Sequence, residues 1–314
     1  MTPELAKFIR EHQEQAETAL RRHLPVSSKP GTARFNKALN YAVFPGGKRL
    51  RPIIALLAGR LAGVGKEAMS GACAIEFLHS SSLILDDLPG MDDADLRRNK
   101  TALHIVFGEG LAVLAAVALL NQAYALFVSG ARELGSESGI ADLLVEATNC
   151  IGANGMIGGQ VIDLESNATV MNQEVLTHRD AKTIALMRLM TTCNALAAGA
   201  SSDVCAALAG FGEYLGEAYQ ICDDLLDELA ESSLTGKTPG QDARHWRPSA
   251  IAELGHHDAH HLAVNQLEKG KALLRSRFGN SLEVRLLCEI GDLVTSKAAD
   301  LARFSEAPVV LSVG

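Results

Sequence analysis

Long stretches rich in Ala and Leu, in which apolar residues recur every three or four positions, dominate this 314-residue sequence. This spacing places apolar side chains on one face of an α-helix, and Ala and Leu are strong helix formers. Turn signals such as Pro-Gly-Gly at 45–47 separate the stretches, and no convincing alternation of polar and apolar residues indicates a sheet. The predicted helices cover residues 36–45, 50–62, 67–86, 105–129, 139–158, 173–199, 203–230 and 259–277.

No linker rich in Pro, Gly or Ser divides the chain. The pattern therefore predicts an all-α fold in which residues 1–314 form a single domain of long helices around a centre. Hydrophobic residues make up 47% and charged residues 21% of the sequence, a composition that excludes disorder. The formal net charge of −8 argues against broad nucleic-acid binding, which requires a basic surface.

Three features predict a cytoplasmic protein without stable membrane insertion. The six cysteines are scattered and form no CxxC pair, as is typical of reduced thiols. Residues 1–23 mix both charges and lack the apolar core of a signal peptide. The longest apolar run, LAVLAAVALL at 111–120, is shorter than the roughly 20 residues that a membrane-spanning helix needs, which favours a core helix.

Two clusters of aspartates follow apolar runs. The segment ILDDLPGMDDADLRR at 84–98 places five aspartates and two arginines in fifteen positions, and YQICDDLLDEL contains a second cluster. Asp223 and Asp227 lie four residues apart on one helix face, where like charges destabilise an isolated helix. Unpaired buried charge is costly. A single cluster could be an acidic surface loop, but two such clusters favour sites that bind cations.

Clusters of carboxylates without nearby His or Cys favour hard cations. Mg²⁺ fits best, because it keeps several waters and uses one or two carboxylates together with substrate phosphates. Basic segments that could bind a diphosphate are FPGGKRLRP at 44–52, the arginines at 97–98, Lys182 and GKT at 236–238. Each basic segment alone could be a solvated loop. The GKT segment is no P-loop, because Glu231 stands where that motif needs Gly.

The motifs GGKRLRP, DDxxxxD followed by LRR, GGQVIDLES, KT, YQICDDLLD and GKTPGQD run in this order from about residue 40 to about residue 255. In this combination the sequence resembles the trans-isoprenyl diphosphate synthases, or polyprenyl synthetases. The resemblance implies the all-helical isoprenoid synthase fold, usually in a homodimer. It also implies a Mg²⁺-dependent prenyltransferase that joins isopentenyl diphosphate to an allylic diphosphate.

The resemblance assigns roles to individual residues by their positions in the motifs. The aspartates that would hold Mg²⁺ are Asp86, Asp87, Asp92, Asp223, Asp224 and Asp227. The residues that would contact the allylic diphosphate are Arg97, Lys182 and Lys237. The residues that would bind isopentenyl diphosphate are Lys48, Arg51, His79 and Arg98. The residues whose oxygens would face the developing carbocation are Thr183 and Gln220. Without the resemblance, His79 would more simply be a core hydrogen-bonding residue.

Product length in the family depends on where the cavity ends. Ser81 lies five residues before Asp86, about 7.5 Å along a helix. Farnesyl enzymes typically carry an aromatic residue there, so a small residue should let a growing chain pass. Phe77, about one turn deeper, could form the floor, although ordinary core packing is the alternative. We therefore expect a twenty-carbon product, geranylgeranyl diphosphate; Leu85 and residues 116–117 also resemble the enzymes of carotenoid pathways.

Other interpretations remain open at this stage. A farnesyl diphosphate synthase is the nearest alternative. A class I terpene cyclase would lack GGKRLRP, and a non-catalytic regulatory subunit would tend to lose one aspartate motif. The segment RRNKTALH replaces the usual RRGxPxxH of the family, which predicts a less tightly turned loop. The histidine-rich segment HHDAHH at 256–261 is more simply a solvated helix start than a site for a transition metal.

Overall fold

The computed structural model describes residues 1–65, 68–165, 173–229, 251 and 254–305, with the side chains of 173–180, 229 and 297–305 left out. It confirms the predicted fold class, because almost every described element is a helix. The elements are α1 (Pro3–His23), α2 (Ala33–Val43), α3 (Leu50–Leu61), α4 (Met69–Asp86), β1 (Leu96–Arg97), β2 (Lys100–Thr101), α5 (Leu103–Phe107), α6 (Glu109–Glu133), α7 (Glu137–Ile151), α8 (Met156–Glu165), α9 (Gln173–Ala197), α10 (Ser202–Leu229), α11 (His256–Phe278) and α12 (Leu282–Ser305).

Helix α9 lies at the centre of the packing. It contacts α3, α4, α7, α8 and α10, while α6 packs along α4. Most residues of α3 and α4 are buried, as expected of helices that are apolar around most of their circumference. The carboxyl ends of α4 and α10 carry the aspartate motifs and the middle of α9 carries Lys182, so this packing determines where the candidate site lies.

Two glycines permit the close helix contacts around α9. A Cβ atom at Gly159 would lie 2.6 Å from the backbone nitrogen of Lys182, and one at Gly216 would lie 2.8 Å from Cα of Ile184. Neither neighbouring backbone has room for a side chain. Gly159 thus brings α8 against α9, and Gly216 brings α10 against the opposite side of α9.

A short antiparallel hairpin interrupts the helices, where the sequence pattern indicated no sheet. Strands β1 and β2 pair Arg97 with Lys100, and the two-residue loop between them consists of Arg98 and Asn99. Both loop residues have positive φ, 54° and 59°, as type I′ hairpin turns require. The prediction of a less tightly turned loop is therefore wrong, because Asn tolerates the left-handed conformation that Gly usually adopts here.

Helix α6 is longer than its apolar run suggested. It continues through Asn121 and Gln122, and among the described residues it is the one helix long and apolar enough to cross a membrane. Core helices of globular proteins meet the same criteria. One face of α6 packs on α4, whereas Val113, Leu114 and Val117 are exposed.

Candidate active site

The first aspartate motif lies at the carboxyl end of α4. Helix α4 ends at Asp86, and the following loop folds back on it: the amide of Asp92 donates to the carbonyl of Asp86 across 2.9 Å, and the amide of Ala94 donates to the carbonyl of Asp87 across 3.3 Å. These bonds bring the backbone of Asp92 next to the helix end. The spacing DDxxxxD therefore corresponds to a local turn that gathers the motif.

Asp86 and Asp87 are buried, with exposed fractions of 8% and 3%. Burial raises the pKa of both carboxyl groups, and two basic side chains partly offset this effect. Lys182 Nζ lies 2.8 Å from Asp86 Oδ1, and Arg97 Nε lies 2.7 Å from Asp87 Oδ1. The expectation that this cluster needs cations agrees with these contacts.

Gln160 connects α8 to the ion pair between Lys182 and Asp86. Its Oε1 accepts from Lys182 Nζ across 2.5 Å, and its Nε2 donates to the sulfur of Met91 across 3.4 Å. The sequence analysis assigned no role to Gln160, although its place in the GGQ motif was a usable signal. It orients Lys182 toward Asp86.

The second aspartate motif is linked to the first through α9. Gln220 Nε2 donates to Asp224 Oδ1 across 2.8 Å, and Thr183 Oγ1 donates to Gln220 Oε1 across 2.8 Å. Asp224 is 4% exposed. Lys182 and Thr183 are adjacent residues of α9. Lys182 contacts Asp86 of the first motif, and Thr183 contacts Gln220, which donates to Asp224 of the second motif.

The six predicted metal-binding aspartates lie on two structural elements. Asp86, Asp87 and Asp92 occupy the end of α4 and its loop, and Asp223, Asp224 and Asp227 occupy the last turns of α10. Within the described ranges, no three carboxylate, imidazole or thiolate groups come close enough to form a metal site alone. The arrangement suits Mg²⁺ held by few carboxylates together with substrate oxygens.

Basic side chains surround His79, about two turns before the first motif. His79 is 6% exposed, and Arg98 Nη2 donates to its Nε2 across 3.2 Å. Arginine cannot accept a hydrogen bond, so the ring proton of His79 belongs on Nδ1. Burial, followed by the charges of Arg51 and Arg98, lowers the pKa of His79 well below 6.5. The imidazole is therefore neutral at neutral pH.

Arg51 carries the clearest sign of a missing partner. Its guanidinium lies 5.8 Å from the centre of the Tyr219 ring, and its Nε is buried without a hydrogen-bond partner among the described residues. A buried donor of this kind costs free energy unless it is satisfied. Lys48, in the loop just before α3, is exposed. Arg51, His79 and Arg98 together form a basic cluster suited to an anion.

Arg49, between those two residues, is occupied internally. Its Nε lies 2.7 Å from Glu17 Oε1, its Nη2 donates to the carbonyl of Val43 across 2.7 Å, and its Nη1 pairs with Glu76. Burial alone lowers the pKa of Arg49, but the two carboxylates outweigh burial and raise it. Of the three cations in GGKRLR, Arg49 is therefore the one that stabilises the fold.

The two residues assigned to product length lie deeper on α4. Ser81 Oγ donates to the carbonyl of Ala116 on α6 across 2.8 Å. Phe77 is fully buried in the core. Both residues thus face the packed interior, and Ser81 faces α6 in particular.

Two further motifs of the sequence are GKTPGQD, with Lys237, and the histidine-rich HHDAHH. Lys237 and the GKTPGQD segment lie outside the described residues. The segment HHDAHH forms the beginning of α11, where His257 and His261 place their rings 4.5 Å apart. The prediction of a solvated helix start is confirmed, since His257 is 61% exposed.

Comparison with known proteins bears on this geometry. The family model for polyprenyl synthetase matches residues 32–281. The chain belongs to this family. This polyprenyl synthetase is 34% identical to a farnesyl diphosphate synthase of Bacillus subtilis over 301 residues, which cover 95% of this chain and 99% of that protein. It is 38% identical to the large subunit 1 of a heterodimeric chloroplastic geranylgeranyl pyrophosphate synthase of Arabidopsis thaliana over 216 residues, covering 67% and 58%.

Solved structures agree with the fold of this polyprenyl synthetase. A geranyltransferase from Helicobacter pylori, complexed with magnesium and isoprenyl diphosphate, superposes with a TM-score of 0.78 at 29% identity. The match covers 96% of this chain and 99% of that one. The chain therefore has the isoprenoid synthase fold and is a prenyltransferase of the family that makes farnesyl and geranylgeranyl diphosphates.

Proposed function

We propose that this polyprenyl synthetase is a Mg²⁺-dependent geranylgeranyl diphosphate synthase. The observation that carries the proposal is the pair of contacts made by adjacent residues of α9. Lys182 contacts Asp86 of the first motif, and Thr183 contacts Gln220, which holds Asp224 of the second motif. A diphosphate between these motifs would meet carboxylate-bound metal ions on two sides and a lysine beside them.

The donor set fits Mg²⁺. All candidate ligands are carboxylates, and burial raises the pKa of Asp86 and Asp87, so nearby cations would favour their charged form. The Helicobacter pylori relative was solved with magnesium and isoprenyl diphosphate. Bound Mg²⁺ would stabilise the charge that develops on the departing diphosphate. The proposed ligands are Asp86, Asp87, Asp92, Asp223, Asp224 and Asp227.

The residues of the chain have distinct tasks in the reaction. The allylic C–O bond breaks, and its electron pair leaves with the diphosphate. Lys182 and Arg97 donate to the oxygens on which charge accumulates, as does Lys237 by the family resemblance. Thr183 donates its one hydroxyl hydrogen bond to Gln220 Oε1, so the lone pairs of its own oxygen are available to face the carbocation. The apolar helices exclude water, which would quench the cation.

Isopentenyl diphosphate binds at this basic cluster in the proposal. Arg51, Arg98 and the exposed Lys48 supply positive charge, and Arg51 Nε supplies a buried donor that has no hydrogen-bond partner among the described residues. His79 is neutral at neutral pH because its pKa is lowered, so it donates through one nitrogen without adding charge. The alkene of isopentenyl diphosphate attacks the cation and then loses a proton, which the released diphosphate accepts.

A twenty-carbon product is supported by the small side chain at position 81. Ser81 faces α6, where buried Ala112, Ala115 and Ala116 are also small, and Phe77 lies one turn deeper. A prenyl chain extending along α4 would therefore pass Ser81 and stop near Phe77. Farnesyl diphosphate is the competing product, since relatives carry both names.

The assembly and the compartment are also part of the proposal. The exposed apolar side chains Val113, Leu114 and Val117 on α6 suit burial against a second copy in a homodimer. All six cysteines are free, and five are buried, which supports a reducing cytoplasm. A role in carotenoid biosynthesis rests on the resemblance at Leu85 and residues 116–117 alone.

The proposal is tested by incubating the purified protein with isopentenyl diphosphate, Mg²⁺ and each allylic diphosphate in turn, then sizing the products. We expect geranylgeranyl diphosphate as the main product, with activity lost in EDTA and restored by Mg²⁺. Farnesyl diphosphate as the end product would contradict the assigned length. No turnover by the isolated protein would favour a non-catalytic subunit, and a cyclic hydrocarbon made from one allylic substrate would favour a terpene cyclase.

A further inference from the structure

We propose that Lys100 is a positioning residue. It holds the two segments that bind isopentenyl diphosphate at a fixed distance from each other. These segments are the loop after α2 together with the first turn of α3, which carry Lys48 and Arg51, and the β1–β2 hairpin, which carries Arg98. The inference rests on the proposed function for the identity of the ligand, while the contacts that carry it belong to Lys100 itself. The sequence analysis gave this residue no role.

Lys100 caps the carboxyl end of α2. The last carbonyls of a helix lack partners within the helix, and cationic side chains near that end satisfy them. Lys100 Nζ donates to the carbonyl of Tyr41 across 3.3 Å and to the carbonyl of Phe44 across 3.1 Å. Its ammonium also lies 3.9 Å from the centre of the Tyr41 ring, within the range of a cation–π contact.

Tyr41 completes the connection from the other side. Its hydroxyl donates to the carbonyl of Thr101 across 2.9 Å, next to Lys100 on strand β2. The Tyr41 ring also packs against Phe107 of α5 with a centroid distance of 5.5 Å. Helix α2 and the hairpin are therefore fastened by reciprocal contacts: a side chain of the hairpin reaches the backbone of α2, and a side chain of α2 reaches the backbone of the hairpin.

The consequence for Arg98 follows from the length of the hairpin. Lys100 pairs with Arg97 in the ladder, so the only residues between them are the two of the turn. Arg98 adopts a left-handed φ of 54°, an uncommon conformation for a residue with a long side chain. Anchoring of Lys100 thus helps hold that turn, and with it the contact from Arg98 to His79.

The consequence for the loop after α2 follows from Phe44. Phe44 is the C-cap residue of α2, and the loop to α3 begins directly after it. Arg49 bonds the carbonyl of Val43, and Lys100 bonds the carbonyl of Phe44, so neighbouring carbonyls are held by the two different cations. Lys100 is the one that comes from the hairpin. It therefore sets the distance between Arg98 and the segment that carries Lys48 and Arg51.

Arg97, on the same hairpin, is held by a different contact, so the two substrates should respond differently to the loss of Lys100. Its guanidinium is fixed on Asp87 of α4 by its own hydrogen bonds. Loss of the Lys100 contacts should therefore disturb the proposed isopentenyl diphosphate site more than the allylic diphosphate site. A general loss of folded structure would affect both substrates.

The test compares KM for the two substrates in Lys100→Met, which keeps the aliphatic stem and removes the donors. We expect KM for isopentenyl diphosphate to rise about tenfold, the size of effect given by lost hydrogen bonds from a charged donor. KM for the allylic substrate should stay within about twofold of the wild type. Lys100→Arg, which retains charge and donors, should restore most of the affinity, and Tyr41→Phe should give a smaller rise. Lys37→Met, on the exposed side of α2, is the matched control and should match the wild type.

Each outcome distinguishes this inference from the proposed function. Suppose that the wild type turns over and that Lys100→Met changes KM equally for both substrates, or changes neither. This result would overturn the inference while the proposed function stands. If Lys100→Met does not fold, unchanged affinity for isopentenyl diphosphate in Tyr41→Phe would do the same, and a selective rise would support it. A wild-type protein without turnover would overturn the proposed function and, with it, this inference.

Discussion

The ammonium of Lys182 lies 2.8 Å from the buried carboxylate of Asp86. This ion pair joins the middle of α9 to the end of α4, and its neighbour Thr183 joins α9 to α10. A lysine in this position can compensate the charge of Asp86 and also donate to a departing diphosphate. The first of these roles concerns stability, and the second concerns rate.

Replacing Lys182 separates the two roles. In Lys182→Met, we expect kcat to fall about 100- to 1,000-fold, the effect of removing one donor to charge that develops in a transition state. Lys182→Arg should lose less, because the charge remains while the donor geometry changes. Steady-state kinetics at saturating substrate measure both effects. Lys7→Met, a surface variant on α1, is the control. A kcat of Lys182→Met within threefold of the wild type would show that Lys182 pairs with Asp86 but does not assist the departing diphosphate.

The lowered pKa of His79 makes stability depend on pH. Because the folded protein disfavours protonated His79, the unfolded chain binds more protons between the folded pKa and about 6.5. This contribution to stability is complete above pH 6.5 and is lost as the pH falls below it. Urea unfolding at about pH 7.5 and about pH 5.5 should show a smaller loss in His79→Gln than in the wild type.

The exposed His257 provides the control for that measurement. His257→Gln should lose as much stability on acidification as the wild type does. If His79→Gln also showed the full wild-type loss, the burial of His79 among arginines would not govern this part of the pH dependence.

Arg49 should matter for folding more than any other cation of GGKRLR. Its side chain is fully buried between Glu17, Glu76 and the carbonyl of Val43. Arg49→Met would leave the carboxylate of Glu76 buried and unpaired, which costs about 3–5 kcal/mol in comparable cases. Chemical unfolding measures this loss, and Lys48→Met is the neighbouring control. Equal stability of the two variants would contradict the structural role of Arg49.

Ser81→Phe tests the assignment of product length. A phenyl ring at this position would project toward α6, where Ser81 now bonds Ala116, and should shorten the product from twenty to fifteen carbons. Ser81→Ala removes the same hydrogen bond without adding volume and should keep the wild-type length. Product sizing of both variants checks the assignment. A twenty-carbon product from a folded Ser81→Phe would show that the chain does not pass this residue.

The sequence predicted most central helices well, because their apolar periodicity is long and regular. The prediction 50–62 corresponds to Leu50–Leu61, and 203–230 corresponds to Ser202–Leu229. It failed where glycine interrupts a continuing pattern. The stretch 105–129 is divided at Gly108, which has a positive φ, and 139–158 is divided between α7 and α8. The charged α1 and the last helix α12 were not predicted.

The candidate site was predictable where its residues share one helix and less so where they meet across helices. The aspartates are evident from spacing within α4 and α10. The contacts of Gln160 and Lys100 depend on close packing at Gly159 and on a two-residue turn, features that only the three-dimensional structure displays. The family resemblance named the motif residues, but it did not show that Arg49 is engaged by Glu76.

The central claim is that both aspartate motifs act together on one diphosphate. A crystal structure of the protein with Mg²⁺ and a bisphosphonate analogue of the allylic substrate tests it most directly. The account predicts metal ions bound by Asp86 of the first motif and by Asp224 or its neighbours of the second, all on the same diphosphate, with Lys182 in contact with its oxygens. Metal and ligand bound at one motif only, with the other motif directed away from them, would contradict it.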